Sequence, residues 1–207
     1  MNKYDVIIVG AGPGGIFSAY ELVKLKPELK IAVFEAGSPL EKRVCPIDGE
    51  RVKSCVHCPT CAIMNGFGGA GAFSDGKYNI TNEFGGNLHE YIGRKTATEL
   101  MEYVDSINME LGGEGTKLYS TANTHIKKLC MQNKLHLLEA SVRHLGTDRN
   151  YIVLQNLFAL LKDKVDFYFR TPVTGIAAEG SGFSVSTKDS VYTCEKCVIS
   201  VGRSGSK

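Results

Sequence analysis

No apolar stretch in this 207-residue chain approaches the roughly 20 residues that a membrane-spanning helix needs, so no membrane partner is expected. A secretory leader is not expected either, because the first residues run almost directly into a strand pattern. Charge of either sign is scarce in excess. The 24 basic and 22 acidic residues are interspersed and leave a formal charge of only +2, which offers no basic stripe to follow a phosphate backbone. Nucleic acid is therefore not expected as a partner. Internal repeats and low-complexity tracts are absent, which excludes solenoids and flexible linkers. With 43% hydrophobic and 22% charged residues, the chain can bury one sizeable core, or a core and a small appended lobe. Seven cysteines are an odd number and cannot all pair. Without a leader they point to a reducing, cytoplasmic setting, where clustered thiols serve metals or redox chemistry more often than disulfides.

What is present begins with the apolar run Val6-Ile7-Ile8-Val9, followed directly by Gly10-Ala11-Gly12-Pro13-Gly14-Gly15 and a helical pattern to Lys26. A G-x-G-x-x-G turn between a strand and a helix is where a dinucleotide's pyrophosphate sits. Gly10 allows the tight turn, Gly12 lets the backbone approach the phosphates, and Gly15 lets helix and strand pack closely. Ile16, Ala19, Tyr20 and Val23 share one helix face, and Lys26-Pro27 ends it. The next apolar run, Ile31 to Phe34, ends in Glu35, about 20 residues after the last glycine. A carboxylate there can accept both ribose hydroxyls of an adenosine and repels a 2′-phosphate, which disfavours NADP in this site.

Residues 37–64 lose apolar periodicity and read as a functional loop. Asn65 to Lys77 is dense in glycine. It reads either as a surface loop or as backbone lying against a large planar cofactor, with Gly69 in that wall and Ser74, Asp75 and Lys77 as polar contacts. Helices are predicted near Thr96–Leu111, stopped by Gly112-Gly113, and near Thr121–Met131. Leu135–Val142 is either a strand or a continuation of the preceding helix. After Gly146-Thr147-Asp148, a helix carrying Val153, Leu157, Phe158 and Leu161 leads to a strand with Val165, Phe167 and Phe169, the two phenylalanines inward. Val173–Ala177, Phe183–Thr187 and Val191–Cys194 predict an antiparallel meander, and Cys197–Val201 a separate, buried parallel strand. A glycine turn at Gly202 follows that strand and would normally feed another helix, so the chain is expected to be the N-terminal portion of a longer protein.

The cysteines form a second signal. Cys55-x-x-Cys58-x-x-Cys61 with Cys45 upstream matches the first three ligands of a ferredoxin-type run and fits an iron–sulfur cluster. Zinc, with four thiolates or with three and His57, is the alternative, and a redox dithiol or unliganded thiols the third. A cluster beside the glycine segment would pass electrons between the cofactor lying there and a partner protein. Cys194-x-x-Cys197 reads mainly as core, Cys130 as structural, and His144 near Asp148 as capping rather than acid–base chemistry.

Three segments together resemble the FAD-dependent dehydrogenases of the glutathione-reductase-like flavoprotein superfamily: GAGPGG with Glu35, VDFYFRTPVTGI leading into a meander, and the closing VISVGRSG. More narrowly, GFGGAGAFSDGK at Gly66–Lys77, the cysteine loop and RHLGTD at Arg143–Asp148 are similar to a subgroup described simply as FAD-dependent (or NAD(P)/FAD-dependent) oxidoreductases. The resemblance implies an α/β Rossmann-like FAD/NAD(P)-binding domain with a parallel sheet and a β-meander. That domain would comprise residues 1–80 and 147–207, with 81–146 inserted from a second, helical substrate lobe. It further implies that Gly10, Gly12, Pro13, Gly14, Gly15, Glu35 and Ala36 hold the FAD pyrophosphate and adenosine, that the backbone at Val173 meets the adenine, and that Gly202 closes the pocket. Proteins of this type are about double this length, and their remaining half carries further flavin contacts, so this chain is expected to lack part of its active site. NAD(P)H is an expected co-substrate. Neither the small-molecule substrate nor any catalytic residue is specified. An NAD-dependent dehydrogenase and a metal-binding electron carrier remain the competing readings.

Overall fold

The computed structural model describes residues 3–206. In chain order these form β1 (Lys3–Val9), α1 (Pro13–Leu25), β2 (Ile31–Phe34), β3 (Lys77–Ile80), α2 (Leu88–Ile92), α3 (Arg94–Asn108), β4 (Leu118–Ser120), α4 (Thr124–Gln132), β5 (Ser141–His144), α5 (Thr147–Leu161), β6 (Val165–Tyr168), β7 (Val173–Glu179), β8 (Gly182–Thr187) and β9 (Val191–Ile199). Two compact units result: one built from residues up to Phe73 and from Leu154 onward, the other from Ser74–Val153.

The first unit is an α/β layer around a six-stranded sheet in the order β6-β2-β1-β9-β8-β7. β6, β2, β1 and β9 run parallel, while β8 and β7 are added antiparallel as a meander. The apolar runs explain the centre of the sheet: Ile7 and Ile8 are fully buried, and all four residues of β2 are buried. Strands buried on both faces carry continuous rather than alternating apolar residues. α1 presents Gly15, Ile16, Ala19 and Val23 as its buried side. Phe67, Phe158, Phe167 and Phe169 form a cluster with centroid separations of 5.1–6.5 Å, each pair adding about 0.5–1.5 kcal/mol to the area it buries. β2 lies on one side of β1 and β9 on the other, so the direction of winding reverses at β1. In open α/β sheets the ligand crevice opens at the carboxyl ends of strands at such a point.

β9 corrects one expectation. Val191–Cys194 and Cys197–Val201 are not separate strands: the first half pairs antiparallel with β8, while residues from Thr193 to Ile199 pair parallel with β1. No turn residue separates Cys194 from Cys197, so both ladders can share one extended segment. Nor is its end buried, since Ile199 is 62% exposed.

The second unit holds a three-stranded antiparallel sheet, β3-β5-β4, together with α2, α3 and α4. α3 ends in a π turn at Met109–Gly113, where Gly112 takes a φ of 128° that a side chain would resist. Arg143 on β5 forks onto Asp105 of α3, with Nε at 2.7 Å from Oδ1 and Nη2 at 2.7 Å from Oδ2. Asn123 caps α4 by accepting from His125 and Ile126. The apolar stretch Leu135–Val142 is neither a whole strand nor a helix, and only its last residues enter β5. Lys134 has a left-handed φ of 60° and Leu135 turns back to donate to Cys130 O, while Thr121 bonds Leu138 O and Ala140, so residues 135–140 have no ladder to join. β3, β4 and α2 are three to five residues long and fall below what periodicity reveals.

Candidate functional site

A crevice of about 780 Å³ opens in the first unit at the carboxyl ends of β1, β2 and β9. Its volume lies within the roughly 300–1,000 Å³ of cofactor pockets. Gly10, Gly12, Pro13, Gly14, Glu35, Ala36, Gly69, Val173 and Gly202 all line it. Gly15 lies one step behind the wall and sets the helix–strand distance: a Cβ there would sit 1.9 Å from Gly10 O. Gly10, with φ 102°, is equally constrained, since its Cβ would fall 2.3 Å from Ser200 O. Gly12 differs. Its φ of −77° is open to any residue, and its Cβ would meet nothing closer than Gly69 Cα at 3.9 Å. The protein itself does not require glycine at 12, so the space beside it is free for a ligand.

α1 begins at this wall with Pro13 as its first residue and without a side-chain cap. Helix geometry leaves the first-turn N–H groups of Gly14 and Gly15 without intrahelical acceptors, and the helix dipole adds a partial positive charge there. This is the donor set that a pyrophosphate needs.

Glu35 is 7% exposed. Its Oε2 accepts from Ala11 N at 2.8 Å, and its Oε1 accepts from Gly37 N at 2.8 Å and Gly66 N at 2.9 Å. A carboxylate offers about four lone-pair sites, so three are committed and one is left on Oε2. Glu35 therefore ties the glycine turn to the loop behind β2, and it can read one ribose hydroxyl without surrendering a backbone bond, rather than two.

A residue that no motif announces completes this wall. Arg43 is 4% exposed and donates from Nε to Ala62 O (2.9 Å), from Nη1 to Phe67 O (2.6 Å) and from Nη2 to Ile63 O (2.8 Å). Its guanidinium also lies 4.8 Å from the Phe73 ring centre. Burial pulls its pKa down, and the nearby Glu35 charge works against that pull. Arg43 thus clamps the segment that carries Met64 and Asn65 into the crevice. A single arginine inside a polar loop gives no sequence signal of such a role, and the same is true of Ser200, whose backbone borders Gly10.

Ser74 and Asp75 each have a partner close by in the chain. Both belong to the second unit, where Ser74 Oγ accepts from Gly76 N at 3.2 Å and Asp75 pairs with Lys77 at 2.7 Å. The Lys77 ammonium holds the Asp75 carboxyl below its usual range. His144 lies 3.9 Å from Asp75 rather than engaging Asp148. Gly69–Phe73 of the glycine segment forms a 3-10 turn with Ala72 buried.

Cys45, Cys55, Cys58 and Cys61 are free thiols, half-buried or exposed. Among the described residues no three Cys, His, Asp or Glu side chains are gathered as a metal centre requires. The loop as arranged does not fit a cluster. Cys194 is buried in the core cluster with Cys197 packed against it. Burial, with Cys194 adding to it, pushes the Cys197 thiol up to about 11. At pH 8 only about one Cys197 in a thousand is then thiolate, the reactive form. Iodoacetamide followed by peptide mass spectrometry should accordingly label exposed Cys55 well before Cys197; equal rates would contradict this burial.

No family model matches the chain. Short stretches are similar to thiamine thiazole synthases, with 52% identity over 40 residues for the Yarrowia lipolytica enzyme (18% of this chain, 13% of that one) and 54% over 39 residues for the Aspergillus oryzae enzyme (17% and 12%). Among solved structures, glycine oxidase from Geobacillus kaustophilus superposes with a TM-score of 0.53 at 19% identity, covering 98% of this chain and 56% of that one. The open form of NikD, an amino acid oxidase of nikkomycin biosynthesis, gives 0.51 at 13% identity, covering 98% and 52%. The chain spans about half the length of these structures, and its fold is the Rossmann-like α/β fold, with parallel sheet and meander, that they share.

Proposed function

We propose that this chain forms the adenosine-diphosphate-binding part of an FAD-dependent oxidoreductase. The observation that carries the reading is the combination at one sheet edge of a glycine whose side-chain space is empty (Gly12), uncapped N–H donors at Gly14 and Gly15, and the committed carboxylate of Glu35. These fit the ADP half of the cofactor: N–H groups for the pyrophosphate, the open lone pair of Glu35 for the ribose, and Pro172 and Val173 beside the adenine. Bound flavin would supply hydride chemistry to a small-molecule substrate. The chain's own contribution is to hold and orient that cofactor and to keep water from its phosphates. The sequence resemblance and the oxidase relatives by fold support FAD over a nicotinamide dinucleotide, and a small-molecule substrate with NAD(P)H or a redox protein as electron partner belongs to the same proposal.

Titration of FAD with the purified chain, followed by flavin fluorescence, tests it. Saturable one-to-one quenching that ADP reverses, and NAD does not match in affinity, is the expected result; tighter binding of NAD would replace flavin with nicotinamide. An iron–sulfur or zinc centre on Cys45, Cys55, Cys58 and Cys61 would need the loop to close from its present arrangement, and metal analysis of anaerobically purified protein decides it.

A further inference from the structure

A second hollow, of about 490 Å³, opens in the first unit and shares Ala36 and Pro172 with the crevice. Its lining is polar: Ser38, Thr60, Arg170, Thr187, Lys188 and Asp189 contribute to it. Two of these are cations, supplied by two different loops. Arg170 follows β6, and Lys188 sits in the turn between β8 and β9, which is closed by Thr187 N donating to Ser190 O at 2.8 Å.

Arg170 is held in an unusual way. Its φ is 55°, in the left-handed region that residues with side chains rarely occupy, and its N–H donates to Gly37 O at 2.8 Å. Such outliers persist where surrounding structure fixes them, and they concentrate at ligand sites. Its Nε donates to Ser38 Oγ at 3.1 Å, which orients the guanidinium and leaves both Nη groups without an acceptor among the described residues. No ion pair engages Arg170 or Lys188 among those residues, although the Asp189 carboxylate borders the same hollow. The balance is two cations against one anion, with hydroxyls of Thr60 and Thr187 on the same walls.

We propose that this hollow binds an oxyanion, the phosphate or carboxylate group of a small molecule, between Arg170 and Lys188. The free Nη pair of Arg170 presents the planar fork that grips two oxygens at once, and Lys188 supplies a point charge. The volume exceeds that of a bare phosphate and accommodates an organic body behind the anionic group. The assignment rests on the hollow's own residues and stands whether or not FAD occupies the crevice.

The test is calorimetric titration of the full chain with inorganic phosphate and, separately, succinate, at constant ionic strength. Saturable one-to-one binding of at least one probe is expected, weakened tenfold or more in the Arg170→Gln/Lys188→Gln double variant, while FAD affinity changes less than twofold. Arg170→Gly removes the backbone outlier along with the guanidinium, so it should weaken binding without lowering Tm. Phosphate alone binding assigns a phosphate ligand, succinate alone a carboxylate, and both the shared chemistry. Absence of saturable binding by either, or binding undiminished in the variants, overturns the proposal.

Discussion

Gly12→Ala is expected to fold with an unchanged Tm and to bind FAD about tenfold or more weakly, a loss of about 1.4 kcal/mol or greater. The backbone at 12 already has a φ of −77°, and an added Cβ clears its nearest protein neighbour by 3.9 Å. The only occupant that an alanine there would meet is a ligand brought close to the backbone, which is the role of the second glycine in a dinucleotide turn. Gly15→Ala provides the opposite case. Its Cβ would lie 1.9 Å from Gly10 O and 3.3 Å from Ile8, and backbone cannot yield as a flexible side chain can. That change is expected to cost more than about 4 kcal/mol, enough to lose most of a small domain's stability. Denaturant melts paired with FAD titrations separate the two; a Gly12→Ala protein that binds FAD as the parent does would remove the ligand from the account of that glycine.

Glu35 carries the second large effect, and it acts on stability as well as on the ligand. Glu35→Ala would leave three N–H groups, on Ala11, Gly37 and Gly66, without their acceptor. At about 1–3 kcal/mol for each buried orphan, the loss is of order 3–9 kcal/mol, less whatever water recovers. Glu35→Gln keeps one oxygen but turns an NH₂ toward backbone donors, and should cost about 2–4 kcal/mol. Glu35→Arg combines the loss with a second cation close to Arg43 and should be the most severe. All three are expected to lose FAD. A Glu35→Gln protein with parental denaturation midpoint and parental FAD affinity would show that the carboxylate neither organises the loops nor meets the ribose.

The parts of this site that were legible in the sequence are those whose physical requirement is local. Gly10 and Gly15 sit in one turn: Gly10 takes a φ of 102°, and a Cβ on Gly15 would strike Gly10 O. The apolar runs of β1 and β2 announce a buried parallel pair because both faces are covered. What was illegible depends on residues far apart in the chain. That Gly66, 31 positions later, returns to donate to Glu35 Oε1 is not visible in the sequence. Arg43 binds three carbonyls 19 to 24 residues ahead, and nothing about a lone arginine signals that. The cysteine spacing conveyed ligand type and order but not convergence, which depends on loop conformation rather than on spacing. The unity of β9 was hidden because pairing partners, not periodicity, decide where a strand stops.

The central claim, a dinucleotide held where β1 passes into α1, is tested most directly by a crystal structure of the chain grown with saturating FAD. The expected density places pyrophosphate oxygens within hydrogen-bonding reach of Gly14 and Gly15 N–H, the ribose against Glu35 Oε2 and the adenine beside Val173. An empty crevice under saturating FAD, and equally under saturating NAD, would contradict it.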